Sequence, residues 1–179
     1  MLEGKVRDLE ALLHLSDSPL SESEPARVIA KTITDQHARM LLDKGREDGV
    51  EVGMGVVVQD HVLVGRVERV EARRALVQLI TDREFRVTST LSTQQLVGVS
   101  EGARGALLRL NFIPQEAVVE VGMTVHTAGL EPRMAGGLLL GVITGVEEEP
   151  NAPFQIATIE PIVDARLLTH VAVIKSAEL

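Results

Sequence analysis

The chain has 179 residues and a formal charge of −8, and 45% of its residues are hydrophobic. Only three residues are aromatic, all Phe, so the core is expected to be aliphatic and the chain lacks the stacked rings that hold single-stranded nucleic acid or sugars. The negative charge adds repulsion from phosphate backbones and anionic lipid surfaces. No Cys is present, which excludes thiolate catalysis, zinc–thiolate sites and disulfides. Nucleic acid is therefore not an expected partner.

The first 15 residues have the pattern of an amphipathic helix. An apolar stripe of the coiled-coil kind recurs at intervals of four, three and four residues and consists of Leu2, Val6, Leu9 and Leu13. Two heptads are too short to be stable alone. The main hypothesis is the end of a longer dimerising coiled coil, and the alternative is a terminal helix packed on its own domain.

Residues 16–25 are rich in Ser, Asp and Pro and are predicted to be a linker. No apolar run approaches the roughly 20 residues that span a bilayer, so any membrane anchor is expected upstream of this chain.

After the linker the pattern becomes that of β-strands. Short aliphatic runs are separated by glycine turns without long helical patterns between them, which is typical of antiparallel barrels or sandwiches. The predicted strands span residues 26–33, 38–42, 55–59, 63–71, 75–81, 86–91, 96–99, 105–111, 124–127, 139–147, 155–161 and 171–175.

The sequence "VEVGM" occurs twice, at 50–54 and at 119–123. Each copy is followed by a short valine strand, a strand containing a glycine, and an apolar strand that ends in Asp. The first series is "VVV", "VGRVERVE" and "ALVQLITD", and the second is "VHT", "LGVITGVE" and "QIATIEPIVD". This ordered repeat predicts two related β units, 26–104 and 105–175, with exchange of strands between the units possible.

The second unit has a longer connection, "TAGLEPRMAGG" at 127–137. We predict an ordered excursion that exposes Leu130 or Met134 as a candidate partner contact. The alternative is a loop that folds onto its own barrel.

One sequence matches a catalytic motif. "GVSEG" at 98–102 fits the G-x-S-x-G nucleophile elbow, and Asp164 and then His170 follow in the order that α/β-hydrolases use. An elbow requires a strand-to-helix turn, whereas the residues after Ser100 are broken by glycines and then strand-like. We therefore expect no imidazole within hydrogen-bonding reach of Ser100.

No metal or cofactor is expected, because the histidines are scattered without ligand spacing and no Gly-Lys-Ser phosphate loop is present. The acidic run "EEEP" at 147–150 is interpreted as a solvated hairpin tip. The histidines are His14, His37, His61, His126 and His170.

Several segments occur in a characteristic order: "VRDLEALLHL", "ARVIAKTI", "LLDKGREDGVEVGMGVVV", "LVGRVERV", "LVQLITD", "VEVGMTVHTAGLEPRMAGGLLLGVITGV" and "IEPIVDARLLTHVAVI". Together they resemble the extracytoplasmic region of the rod-shape-determining MreC family over residues 5–175. The resemblance implies a mainly β fold of two small six-stranded antiparallel β-barrels, preceded by a short N-terminal coiled-coil helix. It also implies a single-pass anchor in the inner membrane, with these barrels on its outer, periplasmic side.

The same resemblance implies a non-enzymatic scaffold of the cell-wall elongation machinery. The implied partners are a class B penicillin-binding transpeptidase, MreD, the MreB filament system and a second copy of the chain. The alternative function is a serine hydrolase-like two-barrel protein that uses Ser100. A third possibility, a small-ligand or translation-type β-barrel module, is disfavoured by the negative charge and the few aromatic residues.

Overall fold

The computed structural model describes residues 22–59, 61–91 and 96–175. These residues form twelve β-strands, each within three residues of a predicted strand at either end. The strands are β1 Ser23–Ile33, β2 Ala38–Leu42, β3 Gly55–Val58, β4 Val62–Val70, β5 Ala75–Leu79, β6 Arg86–Leu91, β7 Val97–Gly102, β8 Leu108–Pro114, β9 Thr124–Thr127, β10 Leu139–Glu147, β11 Phe154–Pro161 and β12 His170–Ile174. Three short 3-10 turns span Arg46–Asp48, Arg104–Ala106 and Ala165–Leu167. In the described part of the chain, no helix is long and apolar enough to cross a membrane.

Six strands close into a first ring in the order β4–β3–β12–β1–β2–β5, and β5 pairs back with β4. All six pairings are antiparallel. Alternate side chains point into the ring, as successive residues of a strand face opposite sides. The burial of β2 alternates in this way from Ala38 to Leu42. The predicted mainly β fold with a closed six-stranded antiparallel barrel is confirmed.

The other six strands form a second ring in the order β11–β8–β7–β6–β9–β10, closed by pairing of β10 with β11. The predicted boundary at residue 104 is wrong as a division between the rings. Strands β6 and β7 lie before it but pair within the second ring, whereas β12 lies after it and completes the first. The strand exchange that the sequence left open therefore occurs, because β1 and β3 pair with the chain's last strand.

The two rings have the same cyclic order of strands. The three consecutive strands β3, β4 and β5 of the first ring correspond to β9, β10 and β11 of the second. Next in order around each ring come β2 and β1 in the first and β8 and β7 in the second. The place that β6 takes between β7 and β9 is taken in the first ring by β12, between β1 and β3. The duplicated sequence thus folds into duplicated pairings, with one strand supplied from the far end of the chain.

The two "VEVGM" copies make matching turns. Gly53 has a φ of 97° and its N–H donates to the carbonyl of Val67 at 2.9 Å. Gly122 has a φ of 98° and its N–H donates to the carbonyl of Ile143 at 2.8 Å. Both backbones lie in the left-handed region, where glycine pays no steric penalty. The repeated glycine is therefore required by the turn that leads into each hairpin.

The N-terminal predictions fall mostly outside the described residues. The helix predicted for 1–15 lies outside them, as do residues 16–21 of the predicted linker. The last three linker residues are strand, because β1 begins at Ser23 and pairs with Ile174 there.

The rings are joined by an apolar junction. The core of the first ring is separate, but four side chains from its strands and the following turn pack with the core of the second ring: Val57, Leu63, Ile80 and Ile174. Beside them, β10 and β4 pair in parallel at Leu139 and Val62. The two rings therefore share one buried interface.

The crossing from the first ring to the second is held by a buried carboxylate. Asp82, after β5, is fully buried and accepts hydrogen bonds from the N–H of Ala38 at 2.8 Å and the N–H of Glu84 at 2.9 Å. The side chain of Gln78 donates at 3.2 Å and the guanidinium of Arg39 at 2.7 Å. All four donors converge on one side chain, so the direction of the crossing depends on it.

Candidate interaction surface

Ser100 does not have the surroundings of a catalytic nucleophile. Ser100 lies in the middle of β7 between Val87 and Leu110, is fully buried, and its hydroxyl has no hydrogen-bond partner among the described residues. The Asp164 carboxylate is instead bound by Arg166, which holds the pKa of that carboxyl at about 2. The motif is thus a strand and not an elbow.

The two glycines of "GVSEG" have a packing role. A Cβ on Gly98 would lie 2.7 Å from the carbonyl oxygen of Asn111, and one on Gly102 would overlap the carbonyl of Asp82. Neighbouring backbone occupies the space of a side chain at both positions, so glycine is needed for close approach.

The long connection at 127–137 is held at its ends by side-chain hydrogen bonds. The Thr127 hydroxyl donates to the carbonyl of Ala135 at 2.7 Å and accepts from the N–H of Leu138 at 3.0 Å. Leu130 is 67% exposed and remains a candidate contact. Met134 is 1% exposed and belongs to the core, so its assignment as a partner contact is wrong. Its thioether fills the junction between the rings.

The same loop clasps the first ring. The guanidinium of Arg133 lies 3.2 Å from the carboxylate of Glu51 and donates to the carbonyl of Val52 at 3.3 Å, both in the first "VEVGM" turn. A Cβ on Gly53 would lie 3.1 Å from the carbonyl of Pro132. The extra length of the second unit therefore serves contact between the rings.

Two of the three aromatic residues are exposed together at one end of the second ring. Phe112 is 57% exposed and Phe154 is 46% exposed, and their rings meet edge to face with centroids 5.6 Å apart. Phe85, the third, is fully buried. Because aromatic side chains are scarce here and supply much of the energy of protein interfaces, this pair marks a candidate docking surface.

Phe112 is turned outwards by a β-bulge. Ile113 pairs with Gln155 and Leu110 with Ala157, so β8 has one residue more than β11 between these pairs. Phe112 has a φ of 63°, in the left-handed region. A bulge with such a residue re-aims its side chain, and here it aims a phenyl ring at solvent.

Two loops join the aromatic pair at this end of the ring. The side-chain amide of Gln115 donates to the carbonyls of Glu149 and Phe154, at 3.3 and 3.2 Å. The amide of Gln155 donates to the carbonyls of Pro114 and Ala117. We call this end the distal face and define it by seven exposed residues: Phe112, Glu116, Val118, Glu147, Glu148, Glu149 and Phe154.

The distal face lies far from the first ring. Strand β10 starts at Leu139, beside β4 of the first ring, and reaches the distal face at Glu147. Eight steps along a strand cover about 26 Å. The distal face therefore takes no part in the apolar junction or in the contact of Arg133 with the first ring.

Phe112 and Phe154 were not predicted as contact residues from the sequence. The available signal was their rarity, together with the alternation in β11 that places Phe154 and Ile156 on the outer face. The predicted dimerisation residues Leu2, Val6, Leu9 and Leu13 lie outside the described residues.

Four of the five histidines lie in the described part of the chain: His37, His61, His126 and His170. Within residues 22–59, 61–91 and 96–175, no group of three or more His, Asp or Glu has metal-binding geometry. His126 lies on β9 between Thr90 and Leu139. Burial lowers the pKa of His126, and the neighbouring His61 lowers it further. Both effects favour the neutral form of the imidazole.

Known proteins match nearly the whole chain. A family model described as "Rod shape-determining protein MreC, barrel core" matches residues 28–175. The cell shape-determining protein MreC of Escherichia coli K12 is 26% identical in an alignment 175 residues long, which covers 93% of this chain and 46% of that protein. The chain thus spans about half the length of the curated relatives it matches.

Solved structures share the fold. MreC of Listeria monocytogenes is 30% identical with a TM-score of 0.80, covering 99% of this chain and 87% of that one. The major periplasmic domain of the cell shape-determining filament MreC is 17% identical with a TM-score of 0.73, covering 85% and 94%. MreC in a complex with the penicillin-binding protein PBP2 from Helicobacter pylori is 17% identical with a TM-score of 0.69, covering 87% and 99%. The last two show the fold alone. On the match of its residues 28–175, the chain belongs to the MreC family of rod shape-determining proteins.

Proposed function

We propose that this chain is a non-enzymatic scaffold of the machinery that builds the cell wall during elongation. Membership of a cell shape-determining family is the observation that carries the proposal. The buried Ser100 hydroxyl and the exposed aromatic pair agree with it, because a scaffold needs surfaces and a hydrolase needs an accessible nucleophile.

A penicillin-binding protein is the first partner that we propose. A structural relative is described in complex with one, PBP2 of Helicobacter pylori. MreD and the MreB system are further proposed partners, on the family resemblance. A co-purification from the source bacterium that recovers none of them with the full-length protein would contradict this part of the proposal.

We also propose an extracytoplasmic location, with an anchor upstream of this chain. A structural relative is described as a major periplasmic domain, and the curated relatives are about twice as long as this chain. A membrane span of about 20 apolar residues followed by leucine heptads in the upstream gene sequence would support the location. An upstream sequence with neither feature would contradict it.

The apolar stripe of residues 1–15 is proposed to be the dimer seam. Sedimentation of this chain, of a version with the natural upstream heptads, and of Leu9→Asp in that longer version tests it. The longer version should dimerise more tightly because more apolar area is buried, and Leu9→Asp should weaken it. If all three proteins are equally monomeric, the apolar stripe is not a dimer seam.

Ser100→Ala separates the scaffold from the hydrolase alternative. In cells whose only copy carries this change, rod shape should persist, and the purified variant should melt at or above the parent's temperature, since an unpaired buried hydroxyl is removed. Round cells that contain a normally folded Ser100→Ala protein would favour the hydrolase. Cells without the protein provide the reference for lost shape.

A further inference from the structure

The distal face has features that do not serve the fold. Phe112 holds a left-handed φ of 63°, which is costly for a bulky side chain, and more than half of it stays exposed. Its ring contacts that of Phe154, with centroids 5.6 Å apart. A strained and exposed aromatic residue lowers stability, and such residues concentrate where a surface has a task.

The charge of this face is one-sided. No Lys, Arg or His occurs in 110–125 or 142–161, whereas these stretches contain Glu116, Glu120, Glu160 and the three glutamates at 147–149. None of the four carboxylates of the distal face is in an ion pair within the described part of the chain. The face is therefore an apolar patch with an uncompensated acidic rim.

This combination selects the chemistry of the occupant. A second copy that presented the same face would bring carboxylates against carboxylates, and nucleic acid and anionic lipid are repelled in the same way. A polypeptide segment with Lys or Arg beside apolar side chains meets both features. Its positive charges would speed its encounter with the acidic rim, and its apolar side chains would pack on the phenyl groups of Phe112 and Phe154.

We propose that the distal face binds a basic amphipathic segment of a protein partner. The inference rests on the proposed scaffold function and adds the place and the chemistry of one contact. Phe112 and Phe154 are the apolar anchor, and the carboxylates of Glu116 and of residues 147–149 bind the basic side chains.

A peptide titration tests the proposal. The probe is a fluorescent 14-residue helical peptide of leucine and lysine only, and the comparison probe has glutamate in place of lysine. The lysine peptide should bind, and the glutamate peptide should not. Phe112→Asn should weaken the lysine peptide at least 10-fold without lowering the melting temperature, since Asn tolerates the left-handed conformation. Changing residues 147–149 to Gln should weaken binding and flatten its salt dependence.

Matched controls separate the face from general stickiness. Leu167→Asn removes an apolar side chain that is 78% exposed elsewhere, and Asp35→Asn with Glu47→Gln and Glu71→Gln removes three charges from the first ring. Both should bind the lysine peptide as the parent does. Binding by Phe112→Asn within twofold of the parent overturns the proposal. So does equal weakening by the variant with Gln at 147–149 and by the variant that lacks three charges on the first ring. A self-association that Phe112→Asn abolishes also overturns it, because the occupant would be a second copy.

Co-purification with the penicillin-binding protein keeps this inference distinct from the scaffold function. Loss of both the peptide and that protein in Phe112→Asn supports the face as their contact. Loss of the peptide alone supports the face and assigns it to another partner. If Phe112→Asn binds the peptide as the parent does and cells that carry it stay rod-shaped, the proposed binding role of the distal face is overturned and the scaffold function is not.

Discussion

Asp82→Ala should be one of the most destabilising single substitutions in this protein. The change removes a fully buried carboxylate that accepts four hydrogen bonds where the chain crosses between the rings. The N–H of Ala38 is left buried without its acceptor, since Ala38 is only 1% exposed. The guanidinium of Arg39 loses one of its two close carboxylates and keeps Glu68 at 2.8 and 3.1 Å.

The magnitude follows from these losses. A buried donor without a partner costs about 1–3 kcal/mol, and removal of one member of a buried ion pair costs about 3–5 kcal/mol. Because Arg39 is partly exposed and keeps a partner, we expect about 4 kcal/mol in total, which lowers Tm by about 8–16 °C in a chain of this size. Asp82→Asn keeps one acceptor oxygen and should cost about half as much.

Urea unfolding followed by far-UV circular dichroism measures the effect, because the chain has no Trp or Tyr for fluorescence. The matched control is Asp164→Ala, at the corresponding place in the repeat. Asp164 pairs at the surface with Arg166, so its loss should leave the urea midpoint nearly unchanged. A loss below about 1 kcal/mol for Asp82→Ala, or one no larger than the control's, would refute the reasoning.

Three further predictions concern packing and pH. Gly141→Ala should cost about 2–3 kcal/mol, because its Cβ would overlap the carbonyl of Glu160, whereas Gly145→Ala in the same strand meets nothing closer than 3.9 Å and should be neutral; equal costs in urea unfolding would contradict this. Met134→Ala should cost about 2–4 kcal/mol and Leu130→Ala less than about 0.5, and a reversed order would place Met134 outside the junction. The pKa of His126 is lowered by burial, so the unfolded chain takes up the proton first and stability should fall as pH decreases below about 6.5. His126→Gln should reduce that slope in calorimetric melting, and an unchanged slope would exclude His126 as its source.

Local patterns were sufficient to predict the strands. Alternating aliphatic residues identified all twelve, since a strand half-buried in a barrel must alternate. The repeated "VEVGM" marked two turns that proved to make the same backbone hydrogen bond, because only glycine takes the required positive φ at little cost. These features depend on neighbouring residues alone.

Pairing partners were not predictable in this way. Alternation states which side of a strand is buried but not which strand lies beside it. Nothing local in His170–Ile174 indicates that it pairs with β1 and β3, more than 100 residues earlier, and not within the second unit. The predicted boundary at 104 failed for this reason.

Which side chains are exposed at the candidate surface was also not predictable from the sequence. Leu130 and Met134 are apolar neighbours in one loop, and only packing of that loop against the first ring decides that Met134 is core and Leu130 is exposed. Asp82 and Asp164 follow the corresponding strands β5 and β11, yet Asp82 is buried at the crossing between the rings and Asp164 pairs with Arg166 at the surface. The sequence by itself determined the strands, the turns and the family. Tertiary structure decided which apolar and charged side chains remain for partners, because exposure depends on which distant segments come to lie over each residue.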